Sequence, residues 1–200
     1  MDIILLLLIA YLLGSLPSAL WVGKLFYKTD IRQHGSGNMG ATNTFRVLGK
    51  KAGITVTIVD ILKGTAAVLI ASLPYFSDSL IHPLVIGVVA VIGHMFPVFA
   101  GFKGGKAVAT SGGVLLGYSW PVFVLVILTF LIALKITKMV SLTSMIVAVL
   151  GVVYGIIYYF ITGDIYLALV IFLMGAFIFY RHRANISRIK AGTEPKVKWL

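Results

Sequence analysis

The 200-residue chain contains no cysteine, which excludes disulfides, thiolate metal sites and cysteine nucleophiles. Acidic residues are also scarce, six Asp and Glu against 17 Lys and Arg, so few carboxylates are available for acid–base work. Nothing in the sequence requires a metal or a cofactor, and none is expected. Charge of either sign makes up 12% of the chain, half of the roughly 25% usual in soluble domains. What fills the space is apolar: 60% of residues are hydrophobic and the mean hydropathy is +1.04.

Apolar runs near the ~20 residues needed to cross a bilayer recur along the whole length. They identify an all-α, polytopic membrane protein forming a single membrane domain over residues 1–200. Hydropathy and helix breakers suggest seven transmembrane helices, at about 3–23, 52–74, 80–101, 105–118, 119–136, 139–161 and 164–180. The first run carries Asp2 and no basic residue before Lys24, which reads as a retained span and not a cleaved signal. The fourth run, "GKAVATSGGVLLGYS", is short, with a glycine-rich first half, so a re-entrant or broken helix is the rival reading.

Charge favours the seven-span reading. With seven crossings one side holds Lys24, Lys28, Arg32, Arg46, Lys50, Lys51, Lys103, Lys106, Lys135, Lys138 and the basic tail from Arg181. The other side holds Asp2, Asp78 and Asp164. Dropping the fourth crossing would put Lys135 and Lys138 opposite Lys103, against the positive-inside rule. The amino terminus is therefore expected outside and the carboxyl terminus in the cytoplasm. The net charge of +11 becomes a field on the cytoplasmic face, suited to anionic headgroups and substrates.

Three polar segments fall on that face, at about 24–51, 102–110 and 181–200. The first contains "HGSGNMGATNTFR", a literal G-x-G-x-x-G with Asp60 some twenty residues on. A dinucleotide fold would place it between a strand and a helix, whereas here it follows a membrane helix. Its donors nonetheless suit a phosphate: Ser36, Gly37, Asn38, Thr42 and Asn43, with Arg46 as a planar cation. A glycine-rich loop merely capped by Asn and Ser is the simpler alternative.

The second segment, "GHMFPVFAGFKGGKAVATSGG", evokes a P-loop without being one. That motif would need glycine at Ala100 and Ser or Thr at Ala107. Gly104, Gly105 and Lys106 opening a helix would still aim N–H groups and a cation at an anion. His94, just before, reads more simply as a satisfied interfacial histidine. In the third segment, "YRHRANISRIKAGTEP", His182 and Asn185 would share a face of a helix continuing from the last span. Asp60 and Lys63, also three apart but inside the second span, are expected to form a structural ion pair facing the bundle interior.

With these segments in order, the chain resembles the PlsY family, membrane acyl-phosphate:glycerol-3-phosphate acyltransferases. The motifs "GSGNMGATNTFR", "GFKGGKAVAT" and "RHRANISRIKAGTE" carry a likeness that spans essentially the whole chain. The resemblance implies seven spans in the bacterial cytoplasmic (inner) membrane, with the active site on the cytoplasmic side. It implies transfer of a fatty acyl group from acyl phosphate to the 1-hydroxyl of glycerol 3-phosphate, giving lysophosphatidic acid and phosphate. Ser36 and Arg46 are implied to be essential, the glycine loop with Lys106 to hold glycerol 3-phosphate, His182 and Asn185 to matter for activity, and Glu194 for integrity. The expected partners are the two substrates and membrane lipids, with no nucleic acid, and the protein is expected to be a monomer.

Acyl phosphate is already activated, so binding two anions, excluding water and aligning a hydroxyl would do most of the work. An H-x-x-x-x-D arrangement, used by another glycerolipid acyltransferase class, is absent: Met39 follows His34 at that spacing and Phe99 follows His94. On the inner face the carboxylates are few, notably Asp30 and Glu194. His182 as base ranks below a substrate-assisted route, in which a phosphate oxygen takes the proton. No His-Asp pair is apparent that would activate Ser36 as a nucleophile. A transporter for a phosphorylated solute is the rival class, but it predicts polar groups across the membrane and an internal repeat, and neither is found.

Overall fold

The computed structural model describes residues 2–76 and 81–197; Asp78, assigned above to the outer side, lies outside them. The described residues are helical, and the chain packs as two compact units, Met1–Ser119 and Trp120–Leu200.

In the first unit the opening span is two helices, α1 (Asp2–Ser15) and α2 (Ser18–Tyr27), bent by 44°. Pro17 causes the break: it has no N–H to donate, and it disfavours helical geometry at Leu16. At the break the carbonyl of Leu16 accepts from the Ser18 N–H and from Lys63 Nζ, each at 3.0 Å. The expected continuous helix over 3–23 is thus kinked and runs a few residues further. After a connector come α3 (Ala41–Leu48) and, turned at Gly49 with φ of 87°, α4 (Lys50–Ala71). Next, α5 (Pro83–Met95) starts on His82, whose Nδ1 accepts from the N–H of Leu84. Finally, α6 (Val108–Tyr118) closes the unit.

Helices in lipid gain little from apolar contact alone, and small residues let their backbones approach. That is what holds this unit. A side chain at Gly14 would overlap the Ala90 carbonyl, and one at Gly93 the Tyr11 carbonyl, so α1 and α5 touch along their backbones. In the same way Gly64 lies against the Thr110 carbonyl and Gly113 against that of Ile61, locking α4 to α6. Thr65 Oγ1 adds a bond to the Gly113 carbonyl at 2.9 Å. One core gathers Leu6, Ala10, Ala67, Ala71, Phe76, Ile86 and Ala90. Another, of Ala19, Leu20, Ile31, Met39, Val56 and Ala100, underlies the first polar loop.

The second unit comprises α7 (Trp120–Thr137), α8 (Val140–Thr162), α9 (Ile165–Arg181) and α10 (Arg183–Lys190). Asp164 starts α9 by accepting from the N–H of Leu167 at 3.0 Å. Here α8 packs on both α7 and α9, and Gly155 admits Ile171. The expected unbroken helix through His182 is bent there by 59°.

Among the described residues four helices are long and apolar enough to cross a membrane, six if each bent pair counts as one span. The 11 residues of α6 rise only about 16 Å, short of a ~30 Å hydrocarbon core.

Candidate active site

The first polar loop is built around Asn43. Its side chain is buried at 2% exposure and fully engaged. Oδ1 accepts from the Ser36 N–H at 2.9 Å, while Nδ2 donates to the carbonyls of His34 at 3.0 Å and Ile31 at 3.3 Å. The amide thus has no donor left for a phosphate. Asn43, expected among the phosphate ligands, instead organises the loop in the structure. Gly35 and Gly37, with φ of 61° and 67°, provide the left-handed backbone that this folding requires.

Organising the loop from below leaves its other polar groups outward. Ser36, Thr42 and Arg46 are exposed and Asn38 is half-buried. Thr42 and Arg46 are four apart and share one face of α3. Beside the loop, Asp30 receives two side-chain bonds from Arg32, at 2.9 and 2.6 Å. The Arg32 hydrogen bond holds its carboxyl well below the usual carboxylate range, and Arg32 is raised in turn.

The second segment departs from expectation in one respect. Gly104, Gly105 and Lys106 do not open a helix; α6 begins two residues after Lys106, past Ala107 in the left-handed region with φ of 62°. Gly104 and Gly105 are glycine because the end of α5 is too close for a side chain, through its backbone at Gly104 and through the His94 ring at Gly105. A Cβ at Gly104 would overlap the carbonyls of His94 and Met95, and one at Gly105 the ring of His94. The Gly105 N–H donates to the His94 carbonyl at 3.2 Å. Lys106 is half-buried. Met39 of the first motif and Gly104 and Gly105 of the second line one cavity of about 10 Å³, so the two motifs meet within this unit.

Beneath them lies the expected Asp60 and Lys63 pair, at 2.9 Å with both side chains 3% exposed or less. Two further members were not foreseen as partners: Ser18 Oγ donates to Asp60 Oδ1 at 2.7 Å, and His94 Nδ1 lies 3.6 Å from the same oxygen. The only sequence signal for Ser18 is its place just after the Pro17 break.

In the second unit His182 and Asn185 are buried, 3% and 6% exposed. His182 Nδ1 is 2.7 Å from the Ile178 carbonyl, which can only accept, so Nδ1 carries a hydrogen. Asn185 Nδ2 donates to Glu194 Oε1 at 2.6 Å. Ser141 Oγ donates to the same oxygen at 2.6 Å, and Arg188 Nε to Oε2 at 2.7 Å. Burial pushes the Glu194 carboxyl up, but these three donors outweigh it and hold it below its ordinary value. Glu194 therefore ties the tail to α8 and α10; no sequence pattern singled out Ser141.

Among the described residues no group of His, Cys, Asp and Glu is arranged to hold a metal ion.

A family model for glycerol-3-phosphate acyltransferase matches residues 4–192. The Geobacillus kaustophilus glycerol-3-phosphate acyltransferase is 58% identical over 98% of this chain and 96% of its own. That of Bacillus subtilis is 56% identical, with both chains covered completely. Two crystal structures of PlsY, an integral membrane glycerol 3-phosphate acyltransferase, are 38% identical over 98% of this chain. The glycerol 3-phosphate form superposes with a TM-score of 0.87 over 96% of its own chain. The lysophosphatidic acid form superposes with 0.85 over 95%. By this agreement along nearly its full length, the chain belongs to the glycerol-3-phosphate acyltransferase family of integral membrane proteins.

Proposed function

We propose that the protein transfers a fatty acyl group from acyl phosphate to the 1-hydroxyl of glycerol 3-phosphate, releasing lysophosphatidic acid and phosphate. Family membership supports the acceptor, and the structural relatives hold glycerol 3-phosphate in one form and lysophosphatidic acid in the other. The observation that carries the chemistry is the first loop. Asn43 ties it from beneath, and Ser36, Thr42 and Arg46 stand exposed with no side-chain partner among the described residues.

In this reading Arg46 and Lys106 neutralise the two phosphates, while Ser36, Asn38 and Thr42 fix their orientation through hydrogen bonds. The acceptor hydroxyl oxygen attacks the acyl carbon, a C–O bond forms, and the bond from that carbon to the phosphate oxygen breaks. Phosphate leaves with the electron pair, and one of its oxygens takes the hydroxyl proton. The carboxylates Asp30 and Glu194 are poorly suited to that task, since Asp30 is held ionised by Arg32 and Glu194 by its three donors. His182 Nε2 is the alternative acceptor, and Asn185 is assigned to activity with it. The acyl chain enters from lipid between helices. Seven crossings, with the amino terminus outside and the polar segments at the cytoplasmic face of a bacterial membrane, complete the proposal.

The test is phosphate release by purified protein given palmitoyl phosphate and glycerol 3-phosphate. Turnover requiring both, none with palmitoyl-CoA, and loss in Ser36→Ala are expected. Equal use of the thioester would overturn the donor assignment.

A further inference from the structure

A buried ion pair could be formed by Asp60 and Lys63 alone, yet Asp60 Oδ1 also gathers Ser18 and His94. Buried pairs contribute little net stability, so the extra members call for a reason. His94 is 6% exposed and sits at the end of α5, immediately under the glycine loop. Its Nδ1 edge faces a carboxylate, which only accepts, so Nδ1 carries a hydrogen toward Asp60. Nε2 abuts Gly105, where any Cβ would overlap it. The His94 main chain meets the same loop, since its carbonyl takes the Gly105 N–H at 3.2 Å and crowds Gly104. Both the ring and the backbone of one residue thus set the height and tilt of the two residues before Lys106.

We propose that His94 is the positioning residue of the glycine loop, with Asp60 fixing the orientation of its ring. It is not a proton carrier for the reaction: the adjoining cavity, about 10 Å³, has room for a water at most and none for substrate. Its effect is on where Lys106 meets the phosphate of glycerol 3-phosphate. The inference rests on the functional reading above and adds a residue to it.

The experiment is steady-state kinetics of the purified full chain, varying glycerol 3-phosphate, for wild type, His94→Gln and His94→Asn. Glutamine reaches about as far as Nε2 and can keep the contact with Gly105; asparagine is too short to do so. His94→Asn should raise KM for glycerol 3-phosphate about tenfold while kcat changes by less than about threefold, and His94→Gln should recover most of the loss. A wild-type KM in His94→Asn overturns the inference. So does a collapse of kcat with KM unchanged in both variants, which would place His94 in the chemical step. If neither variant folds, Gly105→Ala tests the contact from the loop side: a raised KM is expected, and a wild-type KM overturns the inference. Absence of turnover by the wild type would instead refute the functional reading, and the loop's role with it.

Discussion

Replacing Asn43 by Asp separates two accounts of the first motif. Residue 43 is the third of α3, where the helix dipole favours a negative charge by about 0.3–1 kcal/mol. The hydrogen bonds say the opposite. Asp would keep the acceptor for the Ser36 N–H, but its second oxygen would face the carbonyls of His34 and Ile31, 3.0 and 3.3 Å from the present Nδ2. Two acceptors then go unpaired against a buried charge, a cost of about 1–3 kcal/mol each. Hydrogen bonding wins, and Asn43→Asp should be less stable than Asn43→Ala, which leaves the groups unpaired without adding charge. Moving Ser36 by on the order of 1 Å should cost roughly 10²-fold in kcat/KM. Thermal unfolding in detergent and phosphate-release kinetics read both effects. An Asp variant as stable and active as wild type would refute the bracket role.

Gly113→Ala should lower stability by about 1–3 kcal/mol and reduce activity, because its methyl meets the Ile61 carbonyl and pushes α6 from α4; Gly151→Ala, with Ile171 at 3.6 Å, should be tolerated in the same unfolding assay. The Glu194 carboxyl is held below its ordinary value, so its tie is fully present above that value and is lost as pH falls through the lowered one. Protection of the tail amides against hydrogen exchange, measured relative to their intrinsic rates, should therefore fall as pH drops below the ordinary glutamate range, and Glu194→Gln should be less protected at neutral pH and lose that dependence. Arg46→Lys removes the planar fork while keeping the charge, and should raise substrate KM about tenfold in steady-state assays.

The chain's helical, membrane-spanning character is legible from composition and apolar runs, and the Asp60 and Lys63 pair from spacing on one helix, since both depend on local periodicity. Other features depend on partners far along the chain. Asn43 sits among phosphate-friendly residues, and only the approach of the Ile31 and His34 carbonyls turns it into a loop bracket. Gly104 and Gly105 look like a phosphate cradle, and the proximity of His94 gives them a steric reason to be glycine. Pro17 is a break signal, but the apolar runs on either side of it read as one helix. His182 and Asn185 are both buried, as a shared helical face would suggest, yet the bend at His182 and the return of the tail through Glu194 leave no local pattern.

Direct transfer between two bound anions is tested most closely by one measurement. Purified protein is mixed with palmitoyl phosphate, with and without glycerol 3-phosphate, and products and intact protein are followed together by mass spectrometry. Direct transfer predicts lysophosphatidic acid and phosphate in equal amounts only when both substrates are present, with no acylated protein at any time. An acylated protein formed from palmitoyl phosphate alone, or no lysophosphatidic acid from folded protein given both, would contradict it.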